Sequence, residues 1–497
     1  MTIQDLLRDS TFGAQVAEEE EQLALYFVET DQWARIFSGD VDIIFGSKGS
    51  GKSALYSLLI ARKDELQKKG IQIITAENLR GIPAFADLVD DPPTTEREFI
   101  GLWKLYFISL VGQFLLESEC RESRYAQEVI NALQQVGLIK EGFSLKTILL
   151  KVFGYARSVF RPEAIEGEIK VDHNTGLPLG FGGKITFRES AAGEKSDLIS
   201  VDNLLGIAQQ ALAECKKSAW ILLDRLDVAF ADAHDLEENA LRALFHVYLD
   251  LLAYPNIRPK IFLRTDIMAS ITRGGFREAS HITRYIYLTW DRQSLLNLII
   301  KRVLQNPGIC AHYKIDAGRV LASLESQTKT FYRIFPRQID VGQRMPQTFD
   351  WMVSRVTDGT GQTAPRELIH LLIRSREEQL RLMELGNHEL EGETLFSRSA
   401  IKQSLEEVSR VRLEQTIFAE YPDLRGHIES LARAKTQQHI KSLARIWDVP
   451  ENEARGIAKR LVEVGLFERR ETKAIPEAYR VPFLYRQALQ MIQGTAD

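Results

Sequence analysis

The spacing of apolar positions divides the chain into an α/β stretch followed by a helical one. The first forty residues read as helix, with ALYFVETDQWARIF placing apolar side chains at mixed three- and four-residue intervals. VDIIF is a short apolar run closed by a Gly-rich turn, and ALYSLLIARKDELQKKG after it is helical, with Gly70 as its stop. IQIITAE (71–77) predicts a second strand. DDPPTT is a loop, and Thr95 or the threonine before it caps a long helix containing Trp103. Between about 160 and 190 IEGEIKV alternates, HNTGLPLGFGG turns and KITF alternates again. That pattern predicts an inserted β-hairpin, either a surface excursion or an arm for a partner. VDNLLGIAQQALAE sets Val201, Leu204, Leu205, Ala208 and Leu212 on one helix face. AWILLD, KIFLRTD and YIYLTW predict three further strands. From Asp291, an N-cap, to about residue 410 the pattern is almost wholly helical, and a small mixed unit follows.

These shifts set three domains: 1–290 as an α/β core carrying the hairpin, 291–410 as a helical unit and 411–497 as a terminal one. A length of 497 residues, 44% hydrophobic and 26% charged, suits a globular protein of several domains. The net charge of -5 argues against a general cationic coat for nucleic acid, though one basic patch remains compatible with it. Cys120, Cys215 and Cys310 are odd in number and far apart along the chain, so neither a disulfide framework nor a CxxC metal site is expected, and a cytoplasmic location is. The acidic N-terminus has no apolar signal-peptide core. LWKLYFISLVGQFLL is short for a bilayer and carries Lys104, so a core helix and no membrane association are expected. The nine histidines form no HxxxH or HxH cluster, which ranks a metal hydrolase low.

The chemistry concentrates after VDIIF. Gly46, Ser47, Lys48, Gly49, Ser50, Gly51, Lys52 and Ser53 satisfy GxxxxGK[ST]. Glycines let such a loop curl with its N–H groups inward on phosphate oxygens, and the following helix adds its positive end. Lys52 would reach the β- and γ-phosphates of ATP, and Ser53 would ligate Mg²⁺. Four apolar strand residues deliver Asp224 to a strand's carboxyl end, where it can hold Mg²⁺ through water. Arg225 follows where many ATPases place a glutamate, so Asp227 either substitutes as the catalytic acid or caps the next helix. Arg264, Thr265 and Asp266 end the next strand, where a polar group can touch the γ-phosphate or lytic water. GQTAPRELIHLLIR reads as a helix start with Thr363 as N-cap, from which Arg366 can close over a nucleotide.

Taken in order, these motifs resemble the AAA+/STAND branch of P-loop ATPases, and within it a bacterial group of P-loop ATPases. Members pair an FG…EEE…YFVET-like lead-in with a GxKGSGK loop, LLDRLD, FLRTDI and APREL, found here at Phe12–Thr30, Gly46–Ser53, Leu222–Asp227, Phe262–Ile267 and Ala364–Leu368. The likeness covers roughly residues 10 to 380. It implies an α/β P-loop NTPase fold with parallel sheet order 5-1-4-3-2, a helical lid and a C-terminal winged-helix domain. It also implies a sensor 2 role for Arg366 and a sensor 1 role for Arg264 or Thr265. Arg273, Arg277 and Arg284 are candidates for an arginine finger acting in trans.

The terminal unit fits a winged helix: TQQHIKSLARIWDVP and ENEARGIAKRLVEVG as two helices, then LFERR and YRVPFLYR as a wing. Arg455, Lys459 and Arg460 on the second helix and Arg469, Arg470 and Lys473 on the wing could meet nucleic-acid phosphates, though interleaved glutamates oppose this. The leading expectation is a slowly hydrolysing regulatory ATPase whose nucleotide state controls homo-oligomerisation or engagement of an effector protein, with bacterial, antiviral defence or stress response as its setting. The second is a DNA-binding ATPase of origin-recognition type. A metabolic kinase or transporter ATPase ranks lower, for want of an LSGGQ-like signature and of a use for the lid.

Overall fold

A computed structural model describes residues 2–76, 95–160, 186–188, 198–226, 234–387, 390–470 and 477–496. The chain divides into two compact units: Gln32–Gly46 with Lys52–Tyr287, and Met1–Asp31 with Ser47–Gly51 and Leu288–Asp497.

The first of these is built on a sheet. Its strands are β1 (Ile43–Gly46), β2 (Ile71–Thr75), β5 (Ser218–Leu223), β6 (Ile257–Arg264) and β7 (Tyr285–Tyr287), and β3 (Thr186–Arg188) and β4 (Leu198–Ser200) form a separate antiparallel pair. The sheet order is β2-β5-β6-β1-β7 with every pairing parallel. Parallel strands covered on both faces need apolar residues at consecutive positions, which is why VDIIF and AWILL are runs rather than alternations; all four residues of β1 are buried. The helix Glu96–Glu117 is capped by Thr95, whose hydroxyl accepts from Glu98 N. At 22 residues it is long and apolar enough to cross a membrane, contrary to the expectation that the stretch is too short, yet most of it is buried within this unit. Lys104, the cation within it, is neutralised by Asp202 at 2.8 Å and Asp250 at 2.7 Å.

The predicted hairpin is only partly within the described residues. The IEGEIKV limb lies outside them, while KITF contributes β3, whose partner is β4. The helix after β4 starts at Val201 with Ser200 as its cap, and its five predicted apolar positions are all buried. The cysteines far apart in sequence include two neighbours: burial pushes the Cys215 thiol up to about 12, and the nearby Cys120 adds to the shift. Both remain free thiols.

A buried charge cluster sits at the start of β1. The Lys260 ammonium on β6 bonds Asp42 at 2.8 Å and lies 4.1 Å from the Trp220 ring centroid. Burial holds it down at about 8, against the attraction of Asp42. Arg284 donates from Nε to the other Asp42 oxygen at 2.6 Å. This contact engages Arg284, one of the three arginines considered for a trans-acting finger, within its own unit.

The main apolar core of the other unit runs from Leu6 to Leu489. Its lead-in is not the continuous helix that the spacing predicted. Helices Ile3–Asp9 and Leu23–Tyr26 are separated by chain that α-helical bonding does not hold. Side chains hold that stretch instead: Asn306 accepts from Thr11 N at 2.7 Å, Arg302 donates to the Phe12 carbonyl, and Glu20 accepts from Ala14 N. Toward the C-terminus, helix Arg398–Arg412 passes into a π-helical turn, Leu413–Phe418. Then come β8 (Lys435–His439), helices Ile440–Trp447 and Glu451–Glu463, β9 (Glu468–Arg470), β10 (Ala478–Arg480) and β11 (Ile492–Thr495), in the sheet order β11-β8-β10-β9. TQQH, expected as helix, is strand; His439 ends it and caps the next helix through Nδ1, which accepts from Ser442 N. Lys473 lies outside the described residues.

Candidate functional site

β1 ends at Gly46, and the helix Lys52–Ala61 begins six residues later. The turn between them needs its glycines. Gly49 has φ +83° and Gly51 φ +102°, conformations that L side chains rarely adopt. Gly49 is also crowded, since a Cβ there would come within 3.0 Å of Arg366 Cβ and 3.5 Å of Ala364 Cβ. Lys52, the first residue of the helix, donates to the Gly46 carbonyl at 2.8 Å. The Ser50 hydroxyl is buried with no hydrogen-bond partner among the described residues. A buried donor left unmade is costly, and a loop that curls around an orphan donor fits an anionic ligand. Ser53 follows Lys52 in the first helical turn.

The carboxyl ends of the neighbouring strands lie on the same sheet edge. Gly46 is in register with Arg264, and Ile261 is paired on one side with Ile43 and on the other with Leu223. Asp224, the next residue after Leu223, is 5% exposed. Arg225 has φ +53°, a strained backbone for a long side chain at the point where the strand turns away. Asp227 lies outside the described residues. β6 ends at Arg264, and Thr265 and Asp266 open the helix Thr265–Arg273 instead of prolonging the strand. Arg264 is forked onto Asp266, Nε to Oδ1 at 3.1 Å and Nη2 to Oδ2 at 2.6 Å.

Arg366 stands in the first turn of helix Pro365–Glu384, whose N-cap is Ala364 and not Thr363. Thr363 is one residue too early because its hydroxyl is engaged with Thr357 at 2.7 Å, and the two residues form a β-bridge. The structure therefore brings Arg366 and Gly49 into contact within one unit. Two residues that the motifs did not single out also hold the loop. Trp290 Nε1 donates to the Ser50 carbonyl at 2.8 Å. Lys48 Nζ is 2.6 Å from Glu420 Oε1 and donates more weakly to the Gln415 carbonyl in the π-helical turn. Val28, Leu298 and Ile369 form a small buried apolar cluster against which Trp290 and Ile373 pack. The motifs did not single out Val28, Leu298 or Ile369, and only the fold joins them.

His370, one helical turn beyond Arg366, is buried, and its Nε2 accepts from Arg374 Nε at 3.3 Å. Burial, with Arg374 adding to it, holds the imidazole down at about 4. Its folded value is thus below the free value of 6.5, and the unfolded chain binds the extra proton between them. Stability is expected to be fully present above about pH 6.5 and to fall as the pH drops toward 4, by up to about 3 kcal/mol. Urea midpoints of the wild type and His370→Gln across that range test this; equal acid slopes would remove His370 as the cause.

No family model and no curated protein matches the chain. Among solved structures, the ORC2 protein of Aeropyrum pernix aligns twice. Its ADPNP-ADP complex is 13% identical over 92% of this chain and 88% of that one, with a TM-score of 0.36. Its ADP form is 12% identical over 96% and 92%, with a TM-score of 0.32. Superpositions that loose leave the fold and the site to rest on this chain's own residues.

Proposed function

We propose that the protein is an ATP-binding, slowly hydrolysing regulatory ATPase of the AAA+/STAND type, whose nucleotide state sets whether it self-assembles or engages an effector protein. The observation that carries this reading is the grip on the loop: Trp290, Arg366 and Glu420, all beyond the sheet in sequence, meet the residues that would wrap the phosphates. A triphosphate arriving there must change those contacts, and its loss must restore them. The sheet order, read from β7, is 5-1-4-3-2 in core-strand numbering and supports the AAA+ assignment.

In this reading the N–H groups of Gly46–Ser53 cradle the phosphates and Lys52 neutralises them. Ser53 and Asp224 suit Mg²⁺, a hard cation that takes few protein oxygens and completes its shell with water and phosphate; bound there, it would offset charge on the transferring group. Val28, Leu298, Ile369 and Trp290 offer an apolar wall for the base. Arg264, Thr265 and Asp227 remain the candidates for sensing the γ-phosphate and activating water. Arg225 after Asp224, in place of a glutamate, is the reason to expect slow turnover. Residues 291–410 serve as the lid and 411–497 as a winged helix. A role in bacterial defence or stress response rests on the sequence likeness alone.

The test is light scattering on the size-exclusion peak, apo and with Mg²⁺ and a non-hydrolysable ATP analogue. A nucleotide-dependent rise in mass, or capture of one defined protein only in the ATP state, is expected. A mass and partner set indifferent to nucleotide would defeat the switch. A second reading, duplex DNA binding through helix Glu451–Glu463, draws on the wing's exposed Arg469 and Arg470. Two of its helix arginines are engaged, Arg455 with Glu477 at 3.1 Å and Arg460 with Asp423 at 2.6 Å. Salt-dependent duplex binding that drops when Arg455, Lys459 and Arg460 are neutralised would favour it.

A further inference from the structure

Three arginines of the unit that holds Leu288–Asp497 converge on one aromatic ring. The guanidinium carbons of Arg355, Arg486 and Arg480 stand 3.6, 3.9 and 5.3 Å from the Phe483 ring centroid. They come from three elements: helix Thr348–Val356, the short helix Phe483–Arg486 and β10. Arginine keeps its charge at any ordinary pH, so three like charges share one ring. The ring attracts each cation through its quadrupole, but it carries no net charge to cancel them.

The nearby acids do not balance the cluster. Glu468 is 3.9 Å from Arg480 and is itself held by Arg470 at 3.0 Å. Asp340 is 3.8 Å from Arg355 and is closer to Lys402 and Trp351, at 2.7 and 2.8 Å. Arg486 donates from Nε to the Val481 carbonyl and from Nη1 to Gln493, both neutral acceptors. Its Nη2 is buried and has no hydrogen-bond partner among the described residues. Burial first, with neighbouring guanidiniums adding to it, holds all three below the usual arginine value, Arg486 at about 10. Such a cluster is held together by the fold against its own repulsion, and it lacks acceptors rather than donors.

We propose that Arg355, Arg480 and Arg486, gathered on Phe483, form a binding site for a phosphate group, taken up as the free ion or as the monoester of a small metabolite. Planar guanidiniums offer paired N–H donors that match phosphate oxygens. Exposure sets the size of the ligand: Arg486 is 8% exposed and the Arg355 side chain 16%, against 25% for Arg480. The cluster is thus open on the Arg480 side and closed around Arg486, which suits a compact anion. Glu468, 3.9 Å from Arg480 on that open side, disfavours a nucleic-acid backbone there. The site shares no residue with the Gly46 loop and does not depend on what that loop binds.

Calorimetric titration of the full chain tests this, in a Lys52→Ala background so that the loop's own affinity for phosphate does not contribute. Inorganic phosphate and phenyl phosphate are the probes. Saturable binding of at least one is expected; the tighter of the two tells the free ion from a monoester. Arg480→Gln should weaken it at least about tenfold and raise the melting temperature in phosphate-free buffer, because repulsion is relieved. Arg480→Lys, which keeps the charge without the fork, should weaken binding less and serves if the glutamine variant folds poorly. No saturable binding of either probe, or unchanged affinity in both Arg480 variants, would overturn the proposal. So would displacement of phosphate by a short DNA duplex in an Arg480-dependent way, since the site would then belong to nucleic acid.

Discussion

Lys52→Ala is expected to lower affinity for Mg²⁺-ATP about a hundredfold while leaving the fold intact. The ammonium stands 2.8 Å from the Gly46 carbonyl, at the residue where the proposed phosphate cradle begins. A charge-assisted bond from lysine to a partly desolvated phosphate is worth roughly 3 kcal/mol, which corresponds to that factor. The Gly46 carbonyl that loses this bond is a neutral acceptor. Titration with a non-hydrolysable analogue measures the loss, and a urea melt checks the fold. Wild-type affinity in the variant would sink the nucleotide reading, because the loop's other lysine, Lys48, is paired with Glu420 at 2.6 Å.

Arg412→Ala is expected to be strongly destabilising. Arg412 is buried at the end of helix Arg398–Arg412, 2.8 Å from Glu367 Oε1 and 3.8 Å from Asp358 Oδ2. Burial alone would loosen its proton, but Glu367 chiefly, with Tyr485 and Asp358, holds it more tightly than usual. Burial pushes the Asp358 carboxyl up, and Arg412 is among the groups that oppose this. Removing the cation leaves two buried carboxylates without it, at a cost of about 3–5 kcal/mol. Because Glu367 follows Arg366 in the chain, nucleotide affinity should fall with stability. A urea denaturation series measures the first effect, and Glu367→Gln added to Arg412→Met should recover a good part of it. A loss under about 1 kcal/mol for Arg412→Ala would mean the acids find other partners.

Much of the sheet was legible because a parallel core leaves a strong local signature. Runs such as VDIIF and AWILLD have no other economical use than a strand covered on both faces, and the Gly-rich turn between a run and a helix marks the loop by itself. Helix caps were legible where the capping side chain acts locally. Asp291 accepts from Ser294 N at 2.7 Å, as its position predicts. Thr363 failed because a tertiary bond to Thr357 took its hydroxyl. The lead-in failed for a similar reason: its periodicity suits a helix, but Asn306, Arg302 and Glu20 offer its backbone other partners. TQQH is polar and short, so only pairing with β10 and β11 makes it a strand.

The sequence by itself determined the loop from Gly46 to Ser53, since glycines at 49 and 51, a lysine and a hydroxyl at fixed spacing are local requirements of one curled backbone. It also determined that Asp224 ends a buried strand. Tertiary structure alone decided which residues hold that loop, because Trp290, Arg366 and Glu420 lie some hundreds of positions away and their contact depends on how helices pack, not on any spacing. It alone decided that Arg284 is occupied by Asp42, and that Arg355, Arg480 and Arg486 meet on Phe483. Charges read along a chain count only as composition; their energies depend on distance and burial, and those are set when the chain folds.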